Sequence, residues 1–247
     1  FQAEDGIRHF CLSRGLGDVY KRQQQVIQYG VPIARIEMLN KEQMGISINY
    51  SKLKDIQAVP TLFFEFHGSE ISNNENIKIV EEISKDNKGS SFKWAKDLEE
   101  RNKIWKARWD VYYSVKALIN NGRVYSTDVC VPISKITECV KFAEEQAEKF
   151  GVRAPMVGHM GDGNFHVILP FDPKNKESYK KIRAFNDTLI KKSLELNGTI
   201  TGEHGVGLHK KEYLLEQHPD NIPVMKSIKR TLDPNNIMNP GKIFDLN

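Results

Sequence analysis

The pattern of apolar and polar positions divides most of the chain into strands and helices. Residues 33–39, IARIEML, read as a strand and lead into a helix running to about Lys52. The strongest strand signal is TLFFEFH at 61–67, where aromatic residues follow Pro60. Ile71, Ile77, Val80 and Ile83 recur near the helical period and predict a helix over 70–86. A long helix is expected from Trp94 to about Ile119, carrying Trp94, Leu98, Trp105, Trp109 and Tyr112. A strand over 123–131 ends at Pro132, and Ser134 is placed to cap a helix that runs to about Gly151. Two strands, 154–159 and 164–169, flank a Gly-Asp-Gly turn. A helix over about 176–196, a glycine-rich loop and a helix near 224–232 follow. This order predicts an α+β fold, an antiparallel sheet covered on one face by helices, with a C-terminal helical extension.

Residues 1–23, FQAEDGIRHFCLSRGLGDVYKRQ, break the pattern, with no sustained helical or alternating period. The SRGLGDVYKRQ stretch resembles a translated sequencing-adaptor read-through. Residues 1–29 are therefore expected to be a non-native or disordered segment, and 30–247 to form one domain.

Composition narrows the classes without choosing among them. Of 247 residues, 36 are basic and 32 acidic, and the small excess of +4 does not argue for nucleic acid. No apolar run approaches the ~20 residues of a membrane-spanning helix. Cys11, Cys130 and Cys139 lack the spacing of a metal knuckle or a disulfide scaffold, which fits reduced thiols in an intracellular or organellar protein.

Two short stretches carry candidate chemistry. In VGHMGDGNFHV, at 157–167, a tight turn places His159 and His166 on adjoining strands, where two imidazoles can converge on a divalent metal. The spacing fits a pair of hydrogen-bonded core histidines equally well. In TITGEHGVG, at 199–207, a Glu-His pair lies among glycines that suit a backbone held close to a ligand. A solvent loop with an exposed Glu-His pair fits as well. Neighbours on an extended chain point opposite ways, so Glu203 is expected to ligate the metal with His159 and His166 while His204 acts as a base. Trp105, Arg108, Trp109 and Tyr112 fall on one helical face. A guanidinium there suits a bidentate clamp on a small carboxylate, or a buried salt bridge.

These stretches carry a resemblance. VGHMGDGNFH and TGEHGVG, in this order, with LDPNNIMNPGKIF at the end, resemble the C-terminal domain of the FAD-linked oxidases, flavoproteins of the vanillyl-alcohol oxidase type. SKLKDIQAVPTLFFEFHG, STDVCVPIS and FKWAKDLEERNKIWKAR are most similar to a mitochondrial branch that oxidises D-lactate. The resemblance implies a ferredoxin-like substrate domain over residues 30–247, with the FAD-binding domain that precedes it in the family lying outside this sequence. It implies a divalent metal, zinc or manganese, on His159, His166 and Glu203, and proton removal by His204. Substrate contact falls to Arg108 and Tyr112, and flavin contact to Asn239. Electrons would pass to cytochrome c or a quinone. Relatives acting on 2-hydroxyglutarate tend to carry an Asn and a Lys where this chain has Ile168 and Ser126, which favours lactate over a diacid. D-2-hydroxyglutarate or glycolate oxidation, a metal hydrolase, and a metal-binding fragment without activity remain as alternatives.

Overall fold

The computed structural model describes residues 7–12, 16–54, 56–87, 89, 91–95 and 98–246. Its strands are β1 (Ile7–Leu12), β2 (Arg35–Leu39), β3 (Thr61–Phe66), β4 (Ser91–Trp94), β5 (Arg123–Ser126), β6 (Val129–Cys130), β7 (Met156–His159) and β8 (Asn164–Phe171). They form one antiparallel sheet in the order β4-β1-β3-β2-β7-β8-β5, with β6 also pairing to β8. The helices are α1 (Leu16–Gln28), α2 (Lys41–Ser51), α3 (Glu70–Asp86), α4 (Leu98–Trp109), α5 (Val111–Lys116), α6 (Ile136–Phe150), α7 (Lys176–Glu195), α8 (Lys211–Gln217) and α9 (Ile222–Leu232).

The α+β class agrees with the sequence, but helices cover both faces of the sheet rather than one. Successive side chains of a strand point to opposite faces, so each central strand feeds two cores. Leu62, Phe64 and Phe66 of β3 join Ile36, Met38, Met156, Phe165 and Val167 under α1, α3, α6 and α7. Phe63 joins Leu39, Val157 and Ile168 against Met44, Trp105, Val111 and Val115 of α2, α4 and α5. Every residue of β3 is buried, as a strand packed on both faces requires. Among the described residues, no helix is long and apolar enough to cross a membrane.

Three expected elements differ. The helix expected over 94–119 is a strand and two helices: Trp94 pairs with His9 in the sheet, and α4 ends at Trp109. At that break, Asp110 accepts hydrogen bonds from Ser51 (2.5 Å) and Lys106 (2.6 Å), fastening the bend to α2. The strand expected over 123–131 is interrupted at Thr127 and Asp128, where Thr127 Oγ1 accepts from Val167 N at 2.8 Å. The N-terminal segment carries regular structure where none was expected: residues 7–12 pair with β3, and α1 buries Val19, Tyr20 and Val26 in the larger core.

The C-terminal extension leaves apolar surface uncovered. Val224, Ile228 and Leu232 recur every fourth residue along α9 and are exposed, as are Ile237, Met238 and Ile243 beyond it. A stripe of this kind is unusual on a free surface.

Candidate active site

The site lies on the sheet face that carries Phe63 and packs against Trp105 of α4. Alternation along β2, β7 and β8 brings Glu37, His159 and His166 to that face, with Glu37 directly opposite His159 in the ladder. The turn between β7 and β8 is tight because Gly163, with φ of +79°, passes so close to Val131 that a Cβ would lie 2.0 Å from its carbonyl oxygen.

Both histidines are held by their inner ring nitrogen. His166 Nδ1 donates to the Thr127 carbonyl at 2.9 Å, and His159 Nδ1 donates to Glu37 Oε1 at 2.9 Å. Each Nε2 is then turned to one carboxylate oxygen: Glu203 Oε1 lies 3.3 Å from His159 Nε2 and 2.9 Å from His166 Nε2. Although close to Glu203, His166 Nε2 is buried and has no hydrogen-bond partner among the described residues. The T-shaped rings, 5.7 Å apart, and Glu203 thus converge on one point. Burial lowers the pKa of His166, while the Glu37 hydrogen bond raises that of His159.

The loop bearing Glu203 is shaped by Asp128, which the sequence reading did not single out. Its buried carboxylate accepts from the backbone N–H of Gly202 (3.0 Å), Glu203 (3.1 Å) and His204 (3.0 Å) and from Thr201 Oγ1 (2.6 Å). Lys210 Nζ and Asn164 Nδ2 complete the shell at 3.1 and 3.0 Å. Burial alone would raise the Asp128 pKa, but Thr201, the Lys210 charge and the backbone donors together hold it far below the usual carboxylate range. Gly202 has no room for a side chain, since a Cβ would meet Asn164 Nδ2 at 2.0 Å.

Wrapped around Asp128 in this way, residues 202–204 are not extended, and the expectation that Glu203 and His204 point apart does not hold. His204 Nε2 lies 3.7 Å from Glu203 Oε1, and its ring stacks on His166 at 4.6 Å. Asp128, His166 and His204 also converge, but the Asp128 oxygens are already filled by donors. His159 Nε2, His166 Nε2 and Glu203 Oε1 face one another instead. That donor set, two imidazoles and a carboxylate with each imidazole braced from behind, fits a divalent ion such as zinc or manganese.

Arg108 sits beside this cluster. Its Nε donates to Glu37 Oε2 at 3.0 Å, the salt bridge weighed as the alternative to a carboxylate clamp. Among the described residues, no hydrogen bond engages its two terminal nitrogens. It lines a cavity of about 560 Å³ with His159, Glu37, Arg35, Trp105 and Trp109, walled by Ile27, Val31 and Ile33. Tyr112 is not brought to the site: the break at Asp110 leaves it half-exposed on α5, edge-on to Tyr113 and outside this lining. Asn239 is exposed, with φ of +47°. Its turn is tied to the Glu203 loop through Ile243 N, which donates to the Gly207 carbonyl at 2.8 Å.

Residues 11–243 match the family described as FAD linked oxidases, C-terminal domain. A probable mitochondrial D-lactate dehydrogenase of Danio rerio is 43% identical over 223 residues, 90% of this chain and 45% of the relative. The mitochondrial D-lactate dehydrogenase [cytochrome] of Arabidopsis thaliana is 36% identical over 216 residues, 87% of this chain and 38% of the relative. The chain thus spans less than half the length of these relatives. A crystal structure of p-cresol methylhydroxylase with substrate bound superposes with a TM-score of 0.71 at 13% identity, covering 98% of this chain and 53% of that one. A match over nearly the whole described chain places this protein in the FAD-linked oxidase family, as its C-terminal domain.

Proposed function

We propose that this chain is the substrate- and metal-binding part of a mitochondrial flavoprotein that oxidises D-lactate to pyruvate. The observation that carries the reading is the pair of histidines, each braced at Nδ1 and turned at Nε2 to Glu203, beside a guanidinium whose terminal nitrogens carry no hydrogen bond among the described residues. When bound, a divalent ion on His159, His166 and Glu203 supplies Lewis-acid charge to a substrate hydroxyl, and flavin supplies the hydride acceptor. The chain's own residues do the rest. Arg108 holds the substrate carboxylate through its terminal nitrogens, and Nε, fixed on Glu37, sets the plane of the fork. His204 Nε2 takes the hydroxyl proton, its ring kept in place by stacking on His166. Trp105, Val31 and Ile33 shield the cavity from water.

Ile168 is buried in the apolar core, and the Ser126 hydroxyl donates to the Thr127 carbonyl at 3.3 Å, so neither offers a charge to a second carboxylate. This favours lactate over 2-hydroxyglutarate. The mitochondrial setting and a cytochrome acceptor come to this chain from the names of its relatives, and a quinone serves the same role chemically. Asn239 is assigned the flavin contact, a reading supported by the bond between its turn and the Glu203 loop. The test is turnover of D-lactate, glycolate and D-2-hydroxyglutarate by the flavin-loaded holoenzyme with a dye acceptor. Preference for either competitor, or no turnover of D-lactate, overturns the reading.

Arg108→Lys in that holoenzyme should cut kcat/KM for D-lactate about tenfold to over a hundredfold, the equivalent of ~1.5–3 kcal/mol for a lost charge-assisted bond. An ammonium retains charge for Glu37 but offers no second parallel donor. Unchanged kcat/KM with a lowered melting temperature would make Arg108 a salt-bridge residue only.

The uncovered stripe on α9 fits the docking face of the flavin-binding part. Ile228→Asp with Leu232→Asp should leave the helical signal and melting temperature of this chain unchanged while lowering flavin retention by the holoenzyme. Full flavin retention would exclude α9 from that interface.

A further inference from the structure

Glu37 is a charged residue in the middle of an apolar strand, with only 2% of its side chain exposed. Such a group is costly to bury unless both oxygens are satisfied. Here Oε1 accepts from His159 Nδ1 at 2.9 Å and Oε2 accepts from Arg108 Nε at 3.0 Å. The two donors come from elements far apart in sequence, β7 and α4, and meet at this carboxylate.

We propose that Glu37 is the positioning residue of the site, one carboxylate that fixes the tautomer of His159 and the plane of the Arg108 guanidinium together. The inference rests on the functional reading above and extends it to a residue outside the metal and substrate contacts. With Nδ1–H drawn to Glu37, the lone pair of His159 is confined to Nε2, the atom facing Glu203. The same anchor holds the Arg108 fork beside the histidine, so the ligand set and the anion clamp share a single reference point.

The chemistry demands a carboxylate. An amide has one acceptor and one donor end, so a glutamine at 37 can satisfy His159 or Arg108 but must turn its NH2 against the other. An aspartate keeps the charge but is one methylene short of serving both.

The test uses this 247-residue chain. Zn²⁺ affinity is measured by calorimetry for wild type, Glu37→Gln, Glu37→Asp and Arg108→Ala. The tautomer of His159 is read in the metal-free chain from long-range ¹⁵N–¹H spectra at alkaline pH, where the ring is neutral. Glu37→Gln should bind Zn²⁺ about ten- to a hundredfold more weakly, as loss of a partner behind a metal-bound imidazole does elsewhere. It should also show a mixture of tautomers where wild type shows the Nδ1–H form. Arg108→Ala leaves the Glu37–His159 bond in place and should change Zn²⁺ affinity less than threefold. Should Glu37→Gln fail to fold, Glu37→Asp carries the same comparison, with weakened Zn²⁺ binding expected. Unchanged affinity and an unchanged tautomer in a folded variant overturn the inference while leaving the metal reading intact. A wild-type chain that binds no Zn²⁺ yet loses its tautomer in Glu37→Gln overturns the metal reading and leaves the positioning role standing.

Discussion

Asp128→Asn should lower the melting temperature of this chain by roughly 6–20 °C, the equivalent of about 3–5 kcal/mol for breaking a buried charge pair. The Asp128 side chain is fully buried, and its two oxygens collect donors from Thr201, Gly202, Glu203, His204, Asn164 and Lys210. An asparagine offers one oxygen and turns an NH2 toward backbone N–H groups. It also strands the Lys210 ammonium, only 12% exposed, without its counter-charge. Lys210→Met in the Asp128→Asn background should therefore recover part of the loss, because it removes the orphaned charge. The pH dependence has a definite sign. Asp128 titrates far lower in the folded chain than its unfolded value of ~3.9, so its contribution is present above that value and fades as pH falls below it. The variant should lack this acid-sensitive portion of the stability curve. Thermal unfolding from pH 3 to 8 measures both effects, and equal melting temperatures across that range would show that the loop does not depend on this carboxylate.

How much of this was legible follows from where each signal lies along the chain. The helices α3, α6 and α7 declare themselves through apolar residues at helical spacing, and β3 through its run of aromatics. That run held more information than a strand alone: six consecutive buried positions imply cover on both faces. The helix break at Asp110 was illegible because its cause is a contact with Ser51, 59 residues away. In α1, Val19, Tyr20, Gln23 and Val26 share a helical face and are buried, a short period that the polar run YKRQQQ obscures.

At the site, His159, His166 and Glu203 were legible because glycines flank them at turns. Glu37 left a subtler mark, a lone acid inside the apolar strand IARIEML, and Asp128 is a lone acid at the break between two strands, in STDVCVP. A buried charge must have partners, but the sequence does not say which. Tyr112 misled because helical spacing was extended through a break that only tertiary packing produces.

His204→Ala in the flavin-loaded holoenzyme should reduce kcat for D-lactate about 10²–10⁴-fold, the range for loss of a general base. His204 is the exposed histidine of the cluster, its Nε2 3.7 Å from Glu203 Oε1 and its ring 4.6 Å above His166. Removing it leaves His159, His166 and Glu203 in place, so Zn²⁺ content should not change. Because the ring also packs on His166, the alanine variant alone cannot separate proton removal from support of a neighbour. His204→Phe keeps an aromatic plane over His166 and removes every ring nitrogen. If proton removal is the role, both variants are comparably slow. The limb of the kcat/KM profile that reports an ionising base is then flattened in each. If support of His166 is the role, His204→Phe restores turnover to near wild type and only His204→Ala loses metal. Activity of His204→Phe within threefold of wild type would remove His204 as the base and leave the stacked ring as a brace for His166.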